Sequence, residues 1–373
     1  MKIDISAEIG YQIEVDINLS NELKRISRNH PRILLIVSET VKDIHSKKLD
    51  EIDINHVRFL VVPDGEYSKS IETLEAIWQK LGEENFTRSD AIVAIGGGAT
   101  TDVAGFAAAT WLRGISWYAF PSTLAGAVDA AIGGKTGINS HFGKNLIGSF
   151  YSPRYVGIDL DLISTITQRD LNAGMAEVIK TGFIGDKEIL NILESNPQIQ
   201  VSNLTSNTTS SARDTMAQLI FLSSQVKARF VSADFKEGKL REALNYGHTL
   251  GHAVERYSIY KLRHGEAVSI GLYFAAKLSS KYLGLKKELV ELHDKLLVKY
   301  ELDTTLNNSS IFPNRDLNRE KLISDFIGFM KIDKKSRGDQ IRFVGIRDVE
   351  KIDWIENLDE NQISDLLGEC FFE

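Results

Sequence analysis

The stretch 90–102, Asp-Ala-Ile-Val-Ala-Ile-Gly-Gly-Gly-Ala-Thr-Thr-Asp, constrains the fold more than any other part of the chain. Its unbroken apolar run suits a strand buried on both faces, because a strand with one wet face alternates apolar and polar side chains. Gly96-Gly97-Gly98 then ends the strand and leads to a helix expected over 104–112. Runs at 32–37 (Arg-Ile-Leu-Leu-Ile-Val) and 57–62 (Val-Arg-Phe-Leu-Val-Val) read as two more buried strands, 70–81 as an amphipathic helix and 116–121 as a further strand. Strands that alternate with helices predict an α/β fold in which crossover helices cover both faces of a parallel sheet.

Past Pro153 the pattern changes. Segments 170–184, 212–232, 244–257, 264–283 and 286–300 carry apolar residues at helical spacing, so the second half reads as mostly α-helical. A chain of 373 residues is long for one core and suggests two domains. The boundary falls between Ile158 and Asp170, where Ser164, Thr165, Thr167 and Gln168 make a linker and helix cap, giving domains 1–165 and 166–373. No repeat of solenoid period is present, and 201–211 and 307–315 read as polar loops.

Composition excludes several classes of function. Apolar content of 43% and charged content of 25% are ordinary for a globular chain. A net charge of −7 argues against a nucleic-acid binder, so any cations in a site must be local. The start alternates charged and apolar residues without a signal-peptide core, and no run of about 18 apolar residues exists; a cytoplasmic protein with no membrane partner is expected. Cys370 is the only cysteine, which rules out an intrachain disulfide and a thiolate cluster. A metal would need histidines and carboxylates. The Asn203 and Asn207 triplets that match glycosylation acceptors read as part of a polar loop.

Histidines cluster at His248, His252 and His264, three of the eight in the chain. His248 and His252 are four apart and share a helical face, which suits a metal pair as well as two satisfied structural histidines. If one helix runs through the segment, Arg241, Asn245, His248 and His252 line a single face. Gly247 and Gly251 would weaken such a helix by about 1 kcal/mol each if it were exposed, so a solvent surface explains the row poorly.

Gly96-Gly97-Gly98 suits either a pyrophosphate turn or a tight strand-to-helix turn without a ligand, and Asp102 suits a ribose contact or a helix cap. The stretch 128–148 holds Lys135, Lys144, Asn139, Asn145 and five glycines, a pattern fit for an anionic substrate or for a surface loop with solvated lysines. Glu177 and Lys180 lie three apart among Ala173, Gly174, Ala176, Val178 and Ile179, a setting more like a buried helix than an exposed ion pair. Lys227, Asp234 and Glu237 precede the histidine segment. Residues 333–337, Asp-Lys-Lys-Ser-Arg, read as a solvated basic turn or an anion clamp.

Six pieces carry a family resemblance: Gly96-Gly-Gly-x-x-x-Asp-x-x-Gly-Phe, Val128-Asp-x-x-x-Gly-Gly-Lys-Thr-Gly-x-Asn, Gly143-Lys-Asn-x-x-Gly, Gly174-x-Ala-Glu-Val-x-Lys, Arg241-x-x-Leu-Asn-x-Gly-His-Thr-x-Gly-His and His264-Gly-Glu-Ala-Val. Together they resemble the 3-dehydroquinate synthases, shikimate-pathway members of the sugar-phosphate cyclases, in their actinobacterial variety. The match runs from about residue 63 to 344. It implies an N-terminal Rossmann-like NAD-binding domain, a helical metal- and substrate-binding domain and an active site in the cleft between them.

The resemblance assigns Glu177, His248 and His264 to a zinc ion, with cobalt as an alternative, and leaves His252 as an acid/base and phosphate contact. Lys135, Asn145, Lys180, Lys227, Arg241, Asn245 and Lys334 would meet the substrate, the seven-carbon keto acid phosphate DAHP. Asp129 and Glu237 would orient its hydroxyls and bound water. Arg113 would reach the phosphate from a partner subunit, which implies a homodimer. For NAD it implies Glu66 and Lys69 at the adenosine end, Gly97, Gly98, Asp102, Ser122 and Thr123 at pyrophosphate and ribose, and further contacts from Asp129, Lys135 and Lys144. The chain departs from the family pattern in three places: Ser122 stands for a common Thr, Ser38 for an Asp or Asn, and the run Ala99-Thr100-Thr101 for one ending in Gly. Rivals are another sugar-phosphate cyclase, a metal- and NAD-dependent polyol dehydrogenase and an inactive scaffold of the same fold.

Overall fold

The computed structural model describes residues 1–7, 9–50, 56–205, 211–306, 318–334 and 341–372, apart from the side chains of Lys48, Asp50, Asp333, Lys334 and Phe372. The chain forms two compact units, Met1–Leu171 with Ile199–Glu237, and Asn172–Gln198 with Gly238–Glu373.

The first unit is built on strands β1 (Lys2–Ile5), β2 (Tyr11–Val15), β3 (Ile33–Ser38), β4 (Val57–Val62), β5 (Ala91–Gly96) and β6 (Ser116–Pro121). A separate hairpin of β7 (Lys135–Ser140) and β8 (Gly143–Phe150) precedes β9 (Tyr155–Ile158). The sheet order is β1-β2-β9-β6-β5-β3-β4. Only β1 and β2 pair antiparallel; all other neighbours are parallel. β3 and β5 are buried along their whole length, as their continuous apolar runs require, whereas β1 alternates exposed and buried residues. β4 lies at the sheet edge and is only half-buried, because an edge strand has one neighbour whatever its composition.

Helices Glu39–Asp50, Ile71–Glu83 and Gly98–Thr110 make the crossovers between the parallel strands. Ser70 starts the second by accepting a hydrogen bond from the Thr73 N–H at 3.2 Å. Leu35, Val37, Val93, Ile95, Phe120 and Tyr155 share one core, and each such side chain contributes about 1.5–3 kcal/mol by leaving water. The third helix begins at Gly98, six residues before the expected start at 104, since Ala99-Thr100-Thr101 carries no apolar periodicity to mark it.

The glycine-rich stretch after β6 is no loose surface loop. β7 and β8 pair with Lys135 opposite Phe150 and Gly137 opposite Gly148. A β-carbon on Gly148 would run into the Thr136 carbonyl, and one on Gly137 would lie 2.5 Å from the Ile147 carbonyl, so the crossing needs both glycines. Helix Ser211–Ala233 packs on β1, β2 and the turn Gly126–Ala130. Segment 199–237 therefore joins the sheet unit, and the units do not part at one cut between 165 and 166. Helical periodicity marks a buried face without telling which layer it covers.

The second unit gathers helices His248–Tyr257, His264–Leu283, Arg319–Lys334 and Glu360–Phe372 with a hairpin of β10 (Phe343–Asp348) and β11 (Lys351–Ile355). Its core includes Leu250, Val254, Phe274, Phe326, Met330, Phe343 and Phe371. The mostly helical expectation holds for this unit, with the hairpin as an addition. Among the described residues, no helix is long and apolar enough to cross a membrane.

Candidate functional site

Three elements of the second unit meet through glycines. A β-carbon on Gly265, next to His264, would fall on the Ala173 carbonyl of helix Gln168–Gly185, and one on Gly271 would fall on the Gly247 carbonyl. Helix His264–Leu283 thus crosses both the helix that carries Glu177 and the turn that carries His248 at backbone contact. Gly247 itself has φ +80°, where a side chain is strained, and caps the helix that starts at His248.

Those crossings bring Glu177, His248 and His264 together. Nε2 of His248 is 3.4 Å and Nε2 of His264 is 3.3 Å from Glu177 Oε1. Neither Glu177 oxygen makes a hydrogen bond of ordinary alignment among the described residues, although the carboxylate is only 1% exposed. Tetrahedral ligands at about 2.0–2.1 Å from zinc stand roughly 3.3–3.4 Å apart, which is the spacing found here. Lys180 Nζ holds the other oxygen, Oε2, at 2.5 Å. Behind the rings, His248 Nδ1 meets the Tyr246 carbonyl at 3.2 Å and His264 Nδ1 meets Glu255 Oε2 at 3.4 Å, contacts that turn each Nε2 lone pair inward.

The charges agree with a cation site. Burial opposes ionisation of Glu177, but Lys180 and then His248 outweigh it and hold the carboxyl well below its usual range. Burial, with the Lys180 charge, pushes His248 down to about 4, so its ring is neutral at pH 7. His264 lies between two carboxylates; burial works against its charge, yet Glu177 and Glu255 push it up to about 10. A metal would displace that proton, as cation binding to protonated ligands does. His252 stands beside the triad, its ring 5.4 Å from that of His248 and 6.1 Å from that of His264. His252, Glu255 and His264 form a second group close enough to share a cation.

In the first unit the triple glycine forms a notch. Gly97 is the N-cap of helix Gly98–Thr110, and a β-carbon on Gly98 would sit 2.7 Å from that of Ala130. The Ser122 N–H donates to Gly96 O at 2.8 Å and the Gly126 N–H to Thr123 Oγ1 at 3.1 Å, which folds 121–126 against the glycines. The first-turn N–H groups of that helix have no acceptor within it, the arrangement by which a helix start receives a pyrophosphate.

A second cluster lies beside it. Buried Lys69 donates to Asp102 Oδ2 at 2.5 Å and to Asn145 Oδ1. Glu66 accepts from Asn139 Nδ2 at 2.7 Å and stands 3.9 Å from Lys144 Nζ, while the Asn145 N–H donates to Asn139 Oδ1 at 3.0 Å. Burial raises the pKa of Asp102 against the pull of Lys69. Asp102 is therefore a mid-helix ion-pair partner and no helix cap. Nearby in the same unit, buried Lys227 pairs with Asp129 Oδ1 at 2.5 Å and half-exposed Lys135 pairs with Glu237. Ser38 is buried at the end of β3.

Arg241 and Asn245 lie in the 3-10 turn Leu240–Asn245, so one helical face does not carry Arg241, Asn245, His248 and His252. The left-handed Gly247 interrupts it. Arg241 is nonetheless 2% exposed, beside Glu242, which pairs with Arg342. Arg113 is exposed on a turn where Leu112, Arg113 and Gly114 all have positive φ, backbone strain of the kind found at functional positions. Lys334 ends helix Arg319–Lys334, but its side chain lies outside the described residues, as do residues 335–337 of the expected clamp.

A model of the 3-dehydroquinate synthase N-terminal region matches residues 59–173, and one of the C-terminal region matches 174–336. The chain belongs to the 3-dehydroquinate synthase family. It is 43% identical over 335 residues to the 3-dehydroquinate synthase of Paenarthrobacter aurescens (strain TC1), covering 89% of this chain and 85% of the relative. Its fold is shared by 2-deoxy-scyllo-inosose synthase complexed with carbaglucose-6-phosphate, NAD+ and Co2+ (TM-score 0.82, 24% identity, all of both chains). It is shared too by 2-epi-5-epi-valiolone synthase from Streptomyces hygroscopicus subsp. jinggangensis 5008 with NAD+ and Zn2+ bound (TM-score 0.82, 21% identity, 99% of both chains).

In this family member the glycine notch and the Lys69 cluster fall within the N-terminal match, and Glu177, His248 and His264 within the C-terminal one. Asn139, picked out from sequence only within the glycine-rich stretch, links Glu66 to Asn145. One residue at the site went unassigned from sequence. Glu255 carried a signal, since it follows His248 by seven and His252 by three on one helical face.

Proposed function

We propose that this chain converts DAHP (3-deoxy-D-arabino-heptulosonate 7-phosphate) to 3-dehydroquinate and phosphate, a step of the shikimate pathway to aromatic amino acids, as a cytoplasmic homodimer. The observation that carries the proposal is the convergence of buried Glu177 with the inward-turned Nε2 atoms of His248 and His264, in a chain that both halves of the family model match. Those three residues would hold zinc, or cobalt in its place. Gly97, Gly98, Asp102, Ser122 and Thr123 would hold the NAD pyrophosphate and ribose, with Glu66 and Lys69 at the adenosine end and Lys144 as a further contact. The NAD+ and Co2+ or Zn2+ bound by solved proteins of this fold support that choice. When bound, NAD supplies a reversible hydride acceptor and the metal a Lewis acid for substrate hydroxyls.

The side chains do the rest. His252 stands beside the triad, its ring 5.4 Å from that of His248, and moves protons between substrate hydroxyl and leaving phosphate. Lys135, Lys180, Lys227, Arg241 and Lys334, with Asn145 and Asn245, meet the phosphate, carboxylate and hydroxyls; their charge stabilises what builds up as phosphate departs. Asp129 and Glu237 hold the Lys227 and Lys135 ammonium groups in place and orient substrate hydroxyls and bound water. Exposed Arg113 reaches the phosphate of the neighbouring subunit. With a reversible hydride acceptor in place, the overall conversion would involve no net oxidation.

The test is a comparison of substrates. With NAD and zinc present, phosphate release is measured from DAHP and from sugar phosphates that lack its carboxylate, with a chelator control. Chelator-sensitive release from DAHP is expected. Release from a sugar phosphate but not from DAHP would overturn the substrate assignment.

A further inference from the structure

Glu255 is a buried carboxylate that the chemistry above leaves without a role. It sits on the helix of His248, seven residues on, and its Oε2 lies 3.4 Å from Nδ1 of His264. The two histidines of the triad are secured differently. The His248 side chain is 9% exposed, and its Nδ1 is tied to the Tyr246 carbonyl. His264 opens its helix with its side chain 37% exposed, so packing confines its ring much less. What fixes that ring is the contact at Nδ1.

Resting on the reading that Glu177, His248 and His264 hold a metal, we infer that Glu255 is the positioning residue of that centre: it accepts the Nδ1–H of His264 and so sets the tautomer and ring plane that present Nε2 to the cation. The two nitrogens of an imidazole point in divergent directions, so a carboxylate at Nδ1 does not reach a metal at Nε2 of the same ring. It acts through the ring, orienting the ligand and strengthening it as a donor; loss of such a partner costs about 10- to 100-fold in metal affinity. Had Glu255 been a ligand, with His252 and Nδ1 of His264, its removal would abolish binding altogether.

The experiment measures zinc affinity by chelator competition at one fixed pH for the wild type, Glu255→Gln and Glu255→Ala. Glutamine keeps an acceptor for the Nδ1–H but loses the charge; alanine loses both. We expect affinity to fall about 10-fold in the first and about 100-fold in the second, with both metal-free proteins still folded and unfolding in a single cooperative transition. In the Co2+-loaded wild type, His248 and His264 should each give a hyperfine-shifted, exchangeable N–H proton resonance. Glu255→Ala should lose the His264 signal to solvent exchange and leave the His248 signal in place. Wild-type affinity in both variants would overturn the inference, and so would loss of zinc as complete as in His264→Ala, which would make Glu255 a ligand. A wild-type protein that takes up no zinc would overturn the underlying metal reading.

Discussion

His293 should make the second unit sensitive to acid through a single buried ring. It is fully buried, stacks on Phe183 with ring centroids 3.4 Å apart, places Nδ1 2.7 Å from the Leu289 carbonyl and Nε2 3.0 Å from the Tyr246 hydroxyl. A neutral ring that donates at Nδ1 and accepts at Nε2 satisfies both contacts, and burial pushes the pKa down to about 3 from an ordinary 6.5. Between those values the unfolded chain binds a proton that the folded ring refuses. Stability is therefore full above about pH 6.5 and falls as the pH drops toward 3. The slope is about 1.4 kcal/mol per unit, so pH 5 should cost roughly 2 kcal/mol relative to pH 7. The assay is urea unfolding at both pH values for the wild type and His293→Gln, with chelator throughout so that metal release does not enter. Glutamine keeps a donor and an acceptor but does not titrate. The variant should lose about 2 kcal/mol less than the wild type across the interval. Equal losses would refute the reasoning, because the ring would then carry no proton linkage. Tyr246 extends the consequence to the site, since its carbonyl also holds His248.

Two other predictions concern the proposed roles directly. His264→Ala should abolish zinc binding and phosphate release, whereas His252→Ala should keep zinc and turn over more slowly; equal metal loss in both, by elemental analysis, would contradict the division between them. Lys69→Met removes the ammonium 2.5 Å from Asp102 and leaves a largely enclosed carboxylate without it. That should cost about 3 kcal/mol in thermal unfolding and weaken NAD in a fluorescence titration; unchanged NAD affinity would separate the cluster from the cofactor.

Features written in local periodicity were the ones most open to reading from the residues. β3, β5 and helix His264–Leu283 follow from apolar spacing, and the Glu177 neighbourhood reads as buried from its small residues alone. Packing partners are not local, which is why Ser211–Ala233 gave no sign that it covers β1 and β2. A turn conformation can also override spacing. Gly247 at positive φ ends the 3-10 turn that carries Arg241 and Asn245 and starts a new helix at His248, so four residues at helical intervals do not share a face. The lysines show the same limit. Lys69 and Lys227 are buried against Asp102 and Asp129, while Lys135 stays half-exposed, and nothing in the sequence neighbourhood of these three separates the two outcomes. Glu177 and His248 lie 71 positions apart, and only the backbone crossings at Gly265 and Gly271 explain their meeting.

The central claim is that a bound nicotinamide is used and regenerated while phosphate is eliminated and a ring closes. It is tested most directly by following phosphate, 3-dehydroquinate and NADH together in one reaction of the zinc-loaded protein with DAHP and a sub-stoichiometric amount of NAD. Equal amounts of phosphate and 3-dehydroquinate, each far above the NAD supplied and with no NADH accumulating, is the predicted result. NADH that rises in step with product, or turnover that stops once the NAD is spent, would contradict it.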